Sequence, residues 1–342
     1  MNLIRVAVNG YNVIGRRVAD AVAAQPDMQL IGVAKVKADY KARSAVKKGY
    51  KVYAADEKGR KNFDEAGIQC FGLSRDLVRE ADIVIDATPE DIGRQNKPMY
   101  EELGKKAIFQ GGEDHELAGL SFVAQCNYDK ARGKQFARVV SCNSTALCRV
   151  LHALDGGFGV AKANVVIARR AADPDESGKG PIDSVVLDPA SIPSHHGPDV
   201  NTVLPNFPVV SMAMKIPTTH MHLHSLIVSM KDGSSLSENK IIDELGSSPR
   251  IMFVTSKKDG FKSTANIMDM AREMGRPRND VYEAVIWKDS IKVLGREVYL
   301  FMAVHQEAIV TPENIDAIRA MNAMMSKDDS IRTTNHALGI SS

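Results

Sequence analysis

The sequence predicts an α/β chain in two domains: a doubly wound parallel sheet, then an α+β unit with a mixed or antiparallel sheet. Three observations carry this. The chain opens with an apolar run, a glycine turn and a helical pattern. Short β-branched runs then alternate with helical stretches as far as residue 141. From residue 142 on, the apolar runs lengthen and alternate with polar residues, as half-buried strands do. At 342 residues the chain is also too long for one ordinary core.

Ile4-Arg5-Val6-Ala7-Val8-Asn9 reads as a buried strand, and Gly10-Tyr11-Asn12-Val13-Ile14-Gly15 as the turn into a helix over 16–24. Strand, glycine turn and helix form the context of a Rossmann-type dinucleotide fingerprint, with a plain βα turn as the alternative. Gly10 allows the tight turn, and Gly15 lets the helix pack close to the strand. Where the fingerprint has its middle glycine, this chain has Asn12, whose side chain must turn away from a ligand. The second strand, 29–34, ends at Lys35-Val36-Lys37. NAD-selective sites place a carboxylate there to accept from the ribose 2′-hydroxyl. A lysine with no acid opposing it attracts a 2′-phosphate instead, so Lys35 predicts a preference for NADP over NAD. An ordinary solvated lysine is the other reading.

Further βα units follow. Ser74 caps a helix through Glu80, a strand spans 83–87, Thr88-Pro89 breaks it, and a helix covers 91–103. The next strand, 107–112, ends in Gln110-Gly111-Gly112. Both strand ends belong around a cofactor, because parallel sheets bind ligands at their carboxyl edges. In the second domain the strands fall at 163–170, 209–216, 221–230, 281–287 and 298–305, with helices over 237–245 and 264–274. A last helix, capped at Thr311-Pro312-Glu313, runs to about residue 325 and docks back on the first domain. The polar tail from Ser326 carries no predicted element. The domains are therefore 1–141 with 306–342 docking back, and 142–305.

Charge excludes some function classes. With 44 basic and 42 acidic side chains, nothing global attracts nucleic acid or an anionic membrane. No apolar run is long enough to cross a bilayer. Cysteines at 70, 126, 142 and 148 have no metal-finger spacing, which predicts a reduced, cytoplasmic protein.

Three constellations carry chemistry. In Ser141-Cys142-Asn143-Ser144-Thr145 a β-branched run gives way to a helical pattern, so Cys142 stands at a helix start. Free N–H groups and the positive dipole end there favour a thiolate and can hold an oxyanion. A small buried thiol in a helix cap is the plain alternative. In His220-Met221-His222-Leu223-His224, strand alternation puts all three imidazoles on one face. They bind zinc, or supply a general base to Cys142, or line an interface. Arg169-Arg170 and the loop Ser191-Ile192-Pro193-Ser194-His195-His196-Gly197-Pro198-Asp199 offer donors for an anion, with a surface pair and a tight turn as the alternative.

Several stretches together resemble one family. They are Asn9-Gly10-Tyr11 with Ile14-Gly15, Gln110-Gly111-Gly112-Glu113, Ser141-Cys142-Asn143, Pro193-Ser194-His195-His196-Gly197-Pro198-Asp199-Val200, Pro217-Thr218-Thr219 with Met221-His222, and His305-Gln306-Glu307. The chain resembles the archaeal-type (type II) phosphorylating glyceraldehyde-3-phosphate dehydrogenases along nearly its whole length. The resemblance implies Cys142 as nucleophile and His222 as base, with Ser141, Asn143, His195 and His196 against the substrate. It implies Val13, Ile14, Gly111, Arg169 or Arg170, and Gln306 against an NADP or NAD cofactor, beside Gly10, Gly15 and Lys35. A cytoplasmic homotetramer of glycolysis or gluconeogenesis, acting on a phosphorylated aldehyde and inorganic phosphate and holding no metal, follows from it. The family's glycine at Asn12 and apolar residue at His220 are the two departures.

Rival functions keep parts of this pattern. An amino-acid semialdehyde dehydrogenase shares the sulfur chemistry, but the His195-His196 loop argues against it. A zinc hydrolase on His220, His222 and His224 would carry stoichiometric metal. A non-catalytic nucleotide-binding protein would leave Cys142 inert to iodoacetate.

Overall fold

A computed structural model of the chain describes residues 3–110, 112–172, 178–233 and 236–341. It divides into two compact units, Met1–Val140 with Thr311–Ser341, and Ser141–Val310. Gly111 lies outside the described residues.

In the first unit the elements run β1 (Ile4–Asn9), α1 (Val13–Ala23), β2 (Met28–Lys35), α2 (Tyr40–Lys47), β3 (Val52–Ala54), α3 (Glu57–Glu65), β4 (Cys70–Leu73) and α4 (Ser74–Glu80). They continue with β5 (Ile83–Asp86), α5 (Ile92–Glu102), β6 (Lys106–Phe109), α6 (His115–Ala118), β7 (Ser121–Phe122), α7 (Ala124–Asn127) and β8 (Phe136–Val139). All pairs in this sheet are parallel, in the order β4-β3-β2-β1-β5-β6-β8-β7. Val6, Ala7 and Val8 are buried on successive sides of β1, as a strand covered on both faces requires. The chain reverses its direction of travel across the sheet between β1 and β5, the switch point where open α/β sheets take ligands.

Local details differ from the sequence expectation. The short β3 and β4 with α2 and α3 were not predicted, because three- or four-residue strands leave too few positions to show a period. Ser74 is not a cap but the first helical residue of α4; the Asp76 carboxylate accepts the Leu73 N–H at 3.0 Å.

The second unit begins with α8 (Cys142–Phe158) and β9 (Val160–Arg170), then β10 (Val186–Leu187), α9 (His196–Asn201), β11 (Val209–Ile216) and β12 (His222–Met230). It ends with α10 (Glu238–Ser247), β13 (Ile251–Val254), α11 (Thr264–Glu273), β14 (Ala284–Trp287), β15 (Lys292–Leu294) and β16 (Glu297–Val304). Its sheet runs β10-β11-β9-β12-β16-β14-β13, with β15 on β16. The β11–β9 and β13–β14 pairs are parallel and the rest antiparallel, so the sheet is mixed. Alternate residues of β12 are buried, and α8 packs on β9, β14 and β16.

The chain then returns to the first unit through α12 (Thr311–Met321) and α13 (Lys327–Leu338). The tail beyond Ser326 is thus a helix. Its polar residues are consumed inside the fold: Ser330 and Thr334 hydroxyls donate to Asp316 Oδ1 at 2.7 and 2.6 Å. Arg319, fully buried, donates to both Asp27 oxygens, to Gln25 and to Thr334.

Candidate active site

Two sites emerge, one in each unit. In the first, Gly10 turns the chain at φ +101°, and a Cβ there would stand 2.5 Å from the Ala87 carbonyl. A Cβ on Gly15 would lie 1.9 Å from Gly10 O, so both positions need glycine. The Gly10 and Tyr11 N–H groups donate to Ala34 O at 3.1 and 3.0 Å, tying the turn to the end of β2. Val13 and Ile14 form the first turn of α1, which holds no acidic side chain and no side-chain cap. A pyrophosphate fits such an end, because its free N–H groups and dipole favour an anion.

Lys35 corrects one expectation. Its ammonium lies 3.1 Å from Asp39 Oδ2, so an acid does oppose it. Asp39 caps α2, accepting from Lys41 and Ala42 N–H, and these bonds with Lys35 hold its carboxyl below the usual range despite the opposing pull of burial. The acid stands four residues beyond the strand end, where the strand pattern gave no reason to look. Asn12 does turn its side chain aside, onto Lys35 Nζ at 3.0 Å.

In the second unit Ser141 caps α8: its Oγ accepts the Ser144 N–H at 3.3 Å, and its carbonyl takes the Thr145 N–H at 2.8 Å. Cys142, half-buried, is the first helical residue. Burial pushes its thiol up to about 11, outweighing the Arg169 and Arg170 guanidiniums and the Asn143 N–H, which pull it down. Desolvation thus opposes the easy thiolate expected at a helix start.

Asn143 is buried and bridges two imidazoles. His224 Nε2 lies 2.8 Å from its Oδ1, and its Nδ2 lies 3.4 Å from His196 Nε2. An amide oxygen only accepts, so His224 carries its proton on Nε2, and His196, accepting at Nε2, carries its own on Nδ1. Burial keeps both rings neutral, His224 lowered to about 3 and His196 lower still. His195 is exposed and packs on His196 with ring centroids 3.9 Å apart. The loop before them is pinned to β11, where Ser194 N–H donates to Ser211 O at 2.7 Å.

His222 is fully buried and also kept neutral, first by burial and then by the neighbouring Arg169. Its Nδ1 accepts the Arg170 backbone N–H at 3.0 Å, which leaves its proton on Nε2. Arg169, Arg170 and Glu307 act on both Cys142 and His222, so the thiol and this imidazole share one neighbourhood. The three histidines do not share a face. Met221 takes a left-handed φ of 66°, β12 starts only at His222, and His220 is exposed ahead of it. Among the described residues no three His, Cys, Asp or Glu side chains are grouped to hold a metal ion.

The arginines are engaged. Arg170 is buried against Glu307, whose other oxygen meets His305 Nε2 at 2.7 Å, and Arg169 pairs with Asp188. Sequence reasoning missed Glu307 as the partner of Arg170, because the two stand 137 positions apart. Gln306 lies half-buried just after β16 in this second unit.

A parallel-sheet unit with a glycine turn at its switch point suits a dinucleotide, and a cysteine opening a helix in a mixed-sheet unit suits nucleophilic chemistry; together they are the two halves of a dinucleotide-dependent oxidoreductase of the kind the relatives below are named for. Residues 141–290 match the family model described as the glyceraldehyde 3-phosphate dehydrogenase C-terminal domain. The chain is 52% identical over 338 residues to glyceraldehyde-3-phosphate dehydrogenase 1 of Methanosarcina barkeri, covering 98% of each chain. It is 51% identical to the glyceraldehyde-3-phosphate dehydrogenase of Metallosphaera sedula, covering 99% of this chain and 98% of the relative. For that of Sulfolobus acidocaldarius the identity is 50%, over 98% and 97%. The chain belongs to the glyceraldehyde-3-phosphate dehydrogenase family.

Proposed function

We propose that this chain oxidises glyceraldehyde 3-phosphate to 1,3-bisphosphoglycerate, reversibly, through a thioester on Cys142. The observation that carries the reading is Cys142 at the first turn of α8, in one neighbourhood with the neutral His222 and two arginines. Cys142 loses its proton to solvent and adds as thiolate to the aldehyde carbon. The adduct's oxygen takes the negative charge, held by α8 N–H groups and by Asn143. The base role expected for His222 gives way to donation from Nε2–H to that oxygen, because Nδ1 already accepts from Arg170. When bound, the nicotinamide dinucleotide supplies the acceptor for the hydride that leaves the same carbon. Collapse of the alkoxide to a carbonyl then yields the thioester without a separate base. Inorganic phosphate attacks the thioester, and the sulfur leaves as thiolate with the acyl phosphate as product. Covalent capture retains in the thioester the energy that direct oxidation to the acid would lose.

Ser141, His195 and His196 contact the phosphorylated substrate in this reading. Gly10, Val13, Ile14, Gly15, Lys35 and Gly111, with Arg169, Arg170 and Gln306, serve NADP in preference to NAD. In this reading the protein is a cytoplasmic homotetramer; exposed Met212 and Phe301 with half-buried Leu223 and Ile227, on one face of the second sheet, support contact between copies. An assay with glyceraldehyde 3-phosphate, phosphate and each cofactor, before and after thiol alkylation, tests the activity. Cys142→Ala should abolish turnover and spare cofactor binding; substantial residual turnover would refute the sulfur's role.

A further inference from the structure

Asn12 is the residue before α1, yet its side chain makes no capping bond to that helix. Its Oδ1 instead accepts from Lys35 Nζ at 3.0 Å. The same ammonium lies 3.1 Å from Asp39 Oδ2, and Asp39 is itself fixed, accepting from Lys41 and Ala42 N–H at 2.9 and 3.2 Å. Lys35 is thus held from two sides that differ in charge. Asp39 draws the ammonium toward α2 and offsets its charge. Asn12 holds it at the glycine turn and offsets nothing, because an amide oxygen is neutral. The Lys35 side chain is buried, and a partner on the turn fixes on which side of the strand end its ammonium stands before a ligand arrives.

We propose that Asn12 is a specificity-determining residue: by keeping the Lys35 ammonium on the glycine turn, it directs that cation to a 2′-phosphate and favours NADP. This rests on the reading that the first unit's turn binds a nicotinamide dinucleotide. The residue occupies the middle position of the turn, where a side chain would crowd a pyrophosphate, and its contact with Lys35 gives that position a use.

The test is calorimetric titration of NADP and NAD, without substrate, into the full chain and its Asn12→Ala, Asn12→Ser and Lys35→Ala variants. Asn12→Ala keeps the Cβ, so crowding at the turn is unchanged and only the amide is lost. Its Kd for NADP should rise by about five- to tenfold, the scale of one hydrogen bond, while that for NAD moves less than about twofold. Asn12→Ser retains an oxygen acceptor and should recover part of the loss, and Lys35→Ala should remove the NADP preference. Parallel shifts for both cofactors, or unchanged NADP affinity in Asn12→Ala, overturn the role of Asn12 and leave the binding reading standing. Wild-type protein that binds neither cofactor overturns both. If Lys35→Ala leaves the NADP-to-NAD ratio unchanged, the cation is not the 2′-phosphate contact and the proposal falls with it.

Discussion

Cys142 carries its proton at neutral pH, since burial lifts the thiol to about 11. Its alkylation by iodoacetamide should accelerate as pH climbs toward that value; a rate already flat below pH 8 would mean that the thiolate is preformed. The neighbouring imidazole is testable by shape. Glutamine places a donor about where Nε2–H stands, so His222→Gln should retain much more turnover than His222→Ala, and equal losses would restore the base role. Asn143 owes its orientation to His224, whose Nε2–H holds its oxygen. Replacing His224 with alanine leaves that buried oxygen unpaired, a cost of about 1–3 kcal/mol in chemical unfolding.

At the scale of elements, the β1–α1 turn tolerates almost no added volume. A methyl group on Gly15 would overlap the Gly10 carbonyl, so Gly15→Ala must push α1 off the strand. We expect a loss of about 1–3 kcal/mol in urea unfolding, together with weakened dinucleotide binding measured by titration. Retention of both would show that the turn can relax. In β12, alternation does what strand geometry demands, burying His222, His224, Leu226 and Val228. The left-handed Met221 stops that alternation one residue early and sends His220 to solvent.

Across the whole molecule, buried neutral imidazoles set the response to acid. His196, His222 and His224 all sit below the ordinary value of 6.5, His224 at about 3. Below pH 6.5 the unfolded chain takes up protons that the folded chain refuses. The stability these groups contribute is therefore whole above about pH 6.5 and drains away as pH falls toward 3. Thermal midpoints measured from pH 7.5 down to 4.5 should fall, and the His224→Asn variant should fall less steeply. The return of the chain to the first unit has its own anchor in Arg319. Arg319→Met leaves Asp27 without its bidentate partner, and the expected loss is about 3–5 kcal/mol, read from unfolding of the intact chain.

The parallel character of the first sheet, the strand-to-helix step at Cys142 and the span of β11 were all legible in the sequence, because each rests on periodicity or on turn chemistry between neighbouring elements. What required the tertiary structure were partners that no local pattern records. Glu307 on Arg170, the Arg170 N–H on His222 and Asn143 between two histidines meet only after folding. So does the desolvation that reverses the expected shift of the Cys142 thiol. Repeating apolar spacing determines which elements form, since burial of one face acts residue by residue along the chain. Protonation and hydrogen-bond direction depend on what lies opposite in space, and that was decided by the packing alone.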